Sequence, residues 1–260
     1  MELHLGDGLK AMAELPDKSV DFIFTDPPYG HNNNNGDLIS NIEKALGKGK
    51  PGPPRPILND GPEANDLYKT MLKEAQRVLK PGSCLCCCCS GGGGKDVQFA
   101  DWSLWMHDAI GLKQAVVWDK GPIGMGWHYR RSYEFVLVGQ KKGAACKWFD
   151  DSHKIENIIR HIRKIIPRAD QHPTVKPVAL VEFFLNLHTK PGDTILDPFM
   201  GSGTTGIAAL RNGRNFVGIE LDRQWYEMAI RRFEQEKHGK QGNEGSSAGA
   251  DREADPSTDC

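Results

Sequence analysis

The chain has no apolar run approaching the roughly 20 residues that a membrane-spanning helix needs, and its Met1-Glu2 opening is acidic where a secretory signal is basic. A membrane protein is therefore not expected, and a cytosolic one is. Charge of one sign is also missing. Lys and Arg number 33 against 34 Asp and Glu, which excludes a chain that coats nucleic acid through its overall charge. The sequence shows no HxxxH pair and no Cys/His cluster in a metal-ligand pattern, so no metal is expected.

What is present fits one enzyme-sized domain. The 260 residues are 38% hydrophobic and 26% charged, with a mean hydropathy of −0.51, enough to bury a core without disulfides. The charge is unevenly spread. Arg130 to Lys176 holds eleven Lys/Arg against five Asp/Glu, leaving about −7 on the rest, so an anionic partner is expected at one place. Five of the seven cysteines are Cys84 and Cys86–Cys89. Neighbours in a strand point to opposite faces, so this run cannot converge on one ion. It reads as a buried strand using Cys as a small hydrophobe in a reducing compartment.

Short apolar runs alternate with helical periodicity, the pattern of a parallel sheet covered by helices. Strands are expected at 3–5, 21–25, 84–89, 115–118, 134–138, 194–196 and 216–219, and helices at 68–79, 178–187, 204–212 and 223–236. Three stretches fall outside this pattern. Residues 31–66 are too long and irregular for an ordinary connection. The stretch 141–171 interrupts the sheet, although Ile155, Ile158, Ile159, Ile162, Ile165 and Ile166 have helical spacing and predict a helix over 154–166. Residues 238–260 have the composition of a disordered tail.

Asp197-Pro198-Phe199-Met200-Gly201-Ser202-Gly203-Thr204-Thr205-Gly206 contains GxGxxG between an expected strand and helix, with Glu220 ending the next strand. That spacing suits backbone approach to a ligand and an acid for ribose hydroxyls. Thr204-Thr205 stand where a P-loop needs Lys-Ser/Thr. On this motif alone, a nicotinamide cofactor and a structural turn both remain open. The second motif is more specific. The strand ending at Thr25 runs into Asp26-Pro27-Pro28-Tyr29, where the prolines fix φ and Asp26, preceding one, is held extended. A carboxylate, a carbonyl and an aromatic ring are thus offered from one rigid turn. They suit an exocyclic amine on a planar base, whose hydrogens go to Asp26 and the Pro27 carbonyl while the ring stacks on Tyr29.

With both motifs in place the chain resembles the S-adenosylmethionine-dependent DNA amino-methyltransferases, in the permuted class whose catalytic tetrapeptide precedes the cofactor motif. The resemblance spans nearly all of 1–236. It implies a three-layer, Rossmann-like α/β fold with a mostly parallel seven-stranded sheet and one antiparallel strand. The catalytic domain is then 1–237, with 31–66 as an active-site or DNA loop and 141–171 as a target-recognition insert. Asp26, Pro27, Pro28 and Tyr29 become the catalytic turn, and Asp at the first position favours adenine N6 over cytosine N4. Cofactor contacts carry over to Asp7, Thr174, Lys176, Asp197, Pro198, Phe199, Gly201, Ser202, Gly203, Thr204, Glu220 and Leu221. Asp7 would meet the adenine, and Thr174 and Lys176 the methionine part.

The implied partner is double-stranded DNA, with the target base flipped out. Arg130, Arg131, Lys154, Arg160, Arg163 and Lys164 are the expected phosphate contacts. A homodimer and a restriction partner stay open, as does a catalytically silent binding module of the same fold. Residues 127–131 are read as a strand lead-in packed on the core, with a loop filling the flipped base's space as the alternative.

Overall fold

Val20–Thr25 (β2) is buried at every position, as a strand must be when helices cover both faces of its sheet. The computed structural model describes residues 1–34, 36, 56–90, 98–123, 128–165 and 172–244, the last six as backbone only. The other strands are β1 (Glu2–Leu5), β3 (Leu79–Cys89), β4 (Leu112–Asp119), β5 (Tyr133–Gln140), β6 (Ile158–Ile159), β7 (Thr194–Asp197) and β8 (Asn215–Glu220). The helices are α1 (Gly8–Glu14), α2 (Ala64–Val78), α3 (Gln98–Ala109), α4 (Val178–His188), α5 (Thr204–Arg211) and α6 (Arg223–Glu244).

All strands join one sheet in the order β1-β8-β7-β2-β3-β5-β4-β6. Strand β5 runs antiparallel to both neighbours, and every other pairing is parallel. The expected seven strands and single reversed strand are thus present, with the short β6 added at the edge. Strand β2 lies directly against β7, pairing Phe22 with Ile195 and Ile23 with Leu196. The sheet reverses its direction of winding there, so the loops after β2 and β7 open into one crevice.

The cysteine run divides two cores by simple alternation. Cys84, Cys86 and Cys88 face the layer of α4, α5 and α6 with Phe22, Phe24, Phe184 and Phe233. Cys87 and Cys89 face the opposite layer with Ile23, Met12, Tyr68, Met71 and Trp102. Small, polarisable side chains suit a central strand crowded by aromatic rings on both faces. Arg77, near the end of α2, ties that helix to α1 within the second layer. Its guanidinium donates to the Leu15 and Met12 carbonyls at 2.6 and 2.7 Å, satisfying the end of α1, and pairs with Asp17 at 2.7 Å.

Two expectations fail. No helix forms over the described part of 154–166. Ile158 and Ile159 instead add a parallel strand to β4, the Val117 amide donates to the Asn157 carbonyl at 2.8 Å, and Trp118 Nε1 donates to the Ile162 carbonyl at 2.7 Å. Ile159 and Ile162 are buried, whereas Ile155 and Ile165 are each 39% exposed. An open strand edge next to β-branched residues outweighed a helical spacing; Ile166 lies outside the described residues. At the C-terminus α6 continues to Glu244, so the expected tail begins as helix. The rest of that tail is outside the described residues, as are 35, 37–55 and 166–171 of the two expected insertions. No helix among the described residues is long and apolar enough to cross a membrane.

Candidate active site

The loops after β1, β2, β7 and β8 enclose one cavity of about 540 Å³. Asp26, Pro27, Pro28 and Tyr29 line it, together with Asp7, Thr174, Lys176, Asp197, Pro198, Phe199, Gly201, Ser202, Thr204, Glu220 and Leu221. Residues separated by the length of the chain are brought together because β2 and β7 are neighbours. Gly203 does not face the cavity. It caps α5 with φ of 81°, and a Cβ there would lie 2.6 Å from the Phe233 ring, so glycine serves both the turn and the packing of α6. Gly8 permits another close approach, since a Cβ would stand 2.2 Å from the Pro198 carbonyl oxygen.

Asp26 is held by its neighbours. Its carboxylate accepts the Tyr29 hydroxyl at 2.5 Å and an ion-paired hydrogen bond from Lys176 Nζ. Lys176 also lies 3.5 Å from Glu134, whose other oxygen pairs with Lys120 at 2.8 Å. Burial lifts the Asp26 pKa above the usual carboxylate range even though Lys176 pulls it down. Burial also raises Glu134, but Lys176 and Lys120 outweigh it and leave that carboxyl below its ordinary value. Burial alone would lower Lys176, yet Asp26 and Glu134 hold its ammonium well above the lysine range. Burial keeps the Tyr29 hydroxyl protonated, with Asp26 adding to the effect. The group is a compensated pair of carboxylates and ammoniums around the turn.

Glu134, Lys120 and Asp60 were not singled out by the sequence motifs. Asp60 is 2% exposed and organises the turn. Its Oδ1 accepts the Tyr29 and Gly30 amides at 2.9 and 2.8 Å, and Oδ2 accepts the Asn33 amide at 3.0 Å. The Asn32 amide donates to the Asp60 carbonyl and the Ile57 amide to the Asn33 carbonyl, joining both ends of the intervening stretch. The Asn59-Asp60-Gly61 turn was the available signal, because Asp side chains bond nearby amides in such turns.

At the glycine turn, Glu220 Oε2 accepts the Gly201 amide at 2.8 Å and Oε1 the Asp222 amide at 2.7 Å. Thr204 Oγ1 is buried without a hydrogen-bond partner among the described residues, and it lines the cavity. An acid at a strand end, a glycine turn and an orphaned hydroxyl fit a polar nucleoside ligand. Asp7 Oδ1 accepts the Leu9 and Lys10 amides at 2.9 and 3.2 Å, capping α1 while lining the cavity.

Asp197 is 3% exposed and ties β7 to β2 and α5, accepting from Thr25 at 2.9 Å, Thr205 at 2.6 Å and the Phe199 amide at 3.1 Å. Burial raises its pKa to about 7 against these donors. Between pH about 4 and about 7 the folded state keeps a proton that the unfolded chain has released, so this group's contribution to stability falls as pH rises through that window. The full change is about 4 kcal/mol, from about 1.4 kcal/mol per unit. Asp197→Asn is expected to flatten that slope in denaturant titrations run from pH 4 to 8; an unchanged slope would reject the assignment.

Arg130, Arg131 and Lys164 line the cavity, and Arg131 also donates to Ser90 at 2.7 Å. Lys154, Arg160 and Arg163 do not line it, and Arg160 pairs with Glu156 at 2.7 Å. Tyr129 is 86% exposed and Ile123 is 72% exposed. Tyr129 is therefore not packed on the core as the lead-in reading required; Trp127 lies outside the described residues.

A family model described as DNA methylase matches residues 20–231. The DNA adenine methyltransferase YhdJ of Escherichia coli K12 is 27% identical over 90% of this chain and 82% of its own. The type II methyltransferase M2.DpnII of Streptococcus pneumoniae is 27% identical over 88% of each chain. Among solved structures, the M1.HpyAVI–SAM complex superposes with a TM-score of 0.61 at 25% identity, covering 89% of this chain and 98% of that one. The cytosine-N4-specific PvuII DNA methyltransferase gives 0.68 at 20% identity, covering 91% and 89%. With both strand-end motifs in one crevice and the family match running through them, the chain belongs to the DNA methylases.

Proposed function

We propose that the protein transfers a methyl group from S-adenosyl-L-methionine to the exocyclic N6 of an adenine flipped out of duplex DNA. The observation that carries this function is the shared cavity of the Asp26 turn and the glycine turn. Glu220, Gly201 and Thr204 would hold the cofactor's nucleoside part, with Asp7 at its adenine and Thr174 toward its methionine part. When bound, the cofactor supplies an electrophilic methyl on a sulfonium.

This chain's residues supply the rest. An aromatic amine is a poor nucleophile because its lone pair is delocalised into the ring. Asp26 and the Pro27 carbonyl accept its two hydrogens and turn the nitrogen toward tetrahedral geometry, exposing the lone pair in a fixed direction. Positive charge then developing on the nitrogen is met by the Asp26 carboxylate, and the methylated nitrogen becomes neutral by releasing one of its two protons to solvent. Tyr29 offers a ring for stacking, worth about 1–3 kcal/mol per base. Lys176, paired with Asp26, must shift toward Glu134 as the amine takes its place, and Glu134 is 3.5 Å away to receive it.

Flipping a base costs a few kcal/mol, and Arg130, Arg131 and Lys164 at the cavity rim are the phosphate contacts proposed to help offset it, with Lys154, Arg160 and Arg163 extending the basic surface. Asp at the head of the tetrapeptide and a relative named an adenine methyltransferase favour adenine. Such a substrate fits a cytoplasmic protein. Mass analysis of nucleosides from DNA incubated with protein and labelled cofactor is expected to give N6-methyladenine. N4-methylcytosine would move the protein to the other base, and no product would leave a silent binding module.

A further inference from the structure

Cys146 stands far from the other cysteines in sequence, but the fold places its Sγ 3.6 Å from Cys84 Sγ. His188, the last residue of α4, completes a group in which the three ligand atoms lie within 4.8 Å of one another. The group sits at the opposite end of α4 from Lys176 and takes no part in the chemistry above. Cys84 and His188 are 2% and 5% exposed, whereas Cys146 is exposed.

We propose that Cys84, Cys146 and His188 form a binding site for a thiophilic divalent cation, with Zn2+ as the best-matched ion. Two thiolates on tetrahedral zinc, each bonded at about 2.3 Å, stand about 3.8 Å apart. The observed separation is close to that, and well beyond the roughly 2.05 Å of a disulfide. His188 Nδ1 faces the Lys147 carbonyl at 3.2 Å. Donating Nδ1–H to a backbone carbonyl fixes the tautomer and leaves Nε2 for a metal, the usual support for a ligating histidine.

The three residues are held by the surrounding structure. The Lys147 amide donates to the Gly82 carbonyl at 3.1 Å and the Phe149 amide to the Leu187 carbonyl at 2.8 Å. Lys147 Nζ pairs with buried Asp21 at 2.7 Å. Phe22 stacks on the His188 ring at 5.6 Å, and Trp148 meets it edge-on at 5.3 Å.

Binding forms two S–metal bonds and one N–metal bond and releases the thiol protons to solvent; the exposed Cys146 side leaves a fourth position for water. No oxidant or reductant is needed. The ion would clamp the start of 141–171 to β3 and α4, stabilising the folded state by mass action.

The test is a titration of Co2+, then Zn2+, into reduced, untagged full-length protein under anaerobic conditions. One Co2+ per chain is expected, with thiolate-to-metal charge-transfer absorption that Zn2+ displaces, and a higher Tm for the zinc-loaded protein. Cys146→Ser, at an exposed position, is expected to weaken binding at least 100-fold with its circular dichroism unchanged; His188→Gln is expected to do the same. Absence of the absorption in the parent protein, or its persistence in Cys146→Ser, would overturn the proposal.

Discussion

Asp26→Ala is expected to lower kcat by about 10³-fold or more while cofactor affinity stays within several-fold. Loss of a single preorganised electrostatic partner from a catalytic site costs about 10²–10³ in rate, and Asp26 additionally positions the amine. Removing it leaves Tyr29 without its 2.5 Å acceptor, but Lys176 keeps Glu134, so no buried ammonium is stranded. Circular dichroism and Tm should therefore change little. Single-turnover transfer together with cofactor titration separates the outcomes: near-normal turnover would remove Asp26 from the mechanism, and a large loss of cofactor affinity would place it at the wrong substrate.

Glu220→Ala is expected to raise the cofactor Kd by about 10–100-fold, the equivalent of a charge-assisted hydrogen bond worth about 1.5–3 kcal/mol. Both carboxylate oxygens accept backbone amides, from Gly201 and Asp222, and each still has a lone pair for a ribose hydroxyl. The substitution thus removes a ligand contact and loosens the turn. Calorimetric titration of S-adenosylmethionine into the variant checks this. An unchanged Kd would contradict the ribose assignment, whereas kcat at saturating cofactor should recover most of its value.

The motifs legible in the sequence were those where chemistry and chain geometry coincide. Asp26-Pro27-Pro28-Tyr29 and the glycine turn each end a buried strand, and each is local. The cysteine run was legible as a strand for the same reason. Glu134 was illegible because its importance comes from Lys176 and Lys120, which reach it from different elements. Sequence pattern did give its strand, but not what that strand meets. Asp7 shows the opposite difficulty: its carboxylate caps α1, a helix too short to announce itself by periodicity. The isoleucines misled because helical spacing says nothing of a neighbouring strand edge, and β4 supplied one. Cys146 and His188 meet Cys84 only after β3, α4 and the stretch following β5 have packed.

The stitching of Asn32 and Asn33 to Ile57 and Asp60 also bears on how such enzymes diversify. With the two ends of that stretch pinned beside Tyr29, the chain between them can lengthen at little entropic cost, since each doubling of a loop adds only about 0.6 kcal/mol. Length gained or lost at this point would then leave the geometry around Tyr29 in place, since Asp60 holds the Tyr29 and Gly30 amides from outside that stretch.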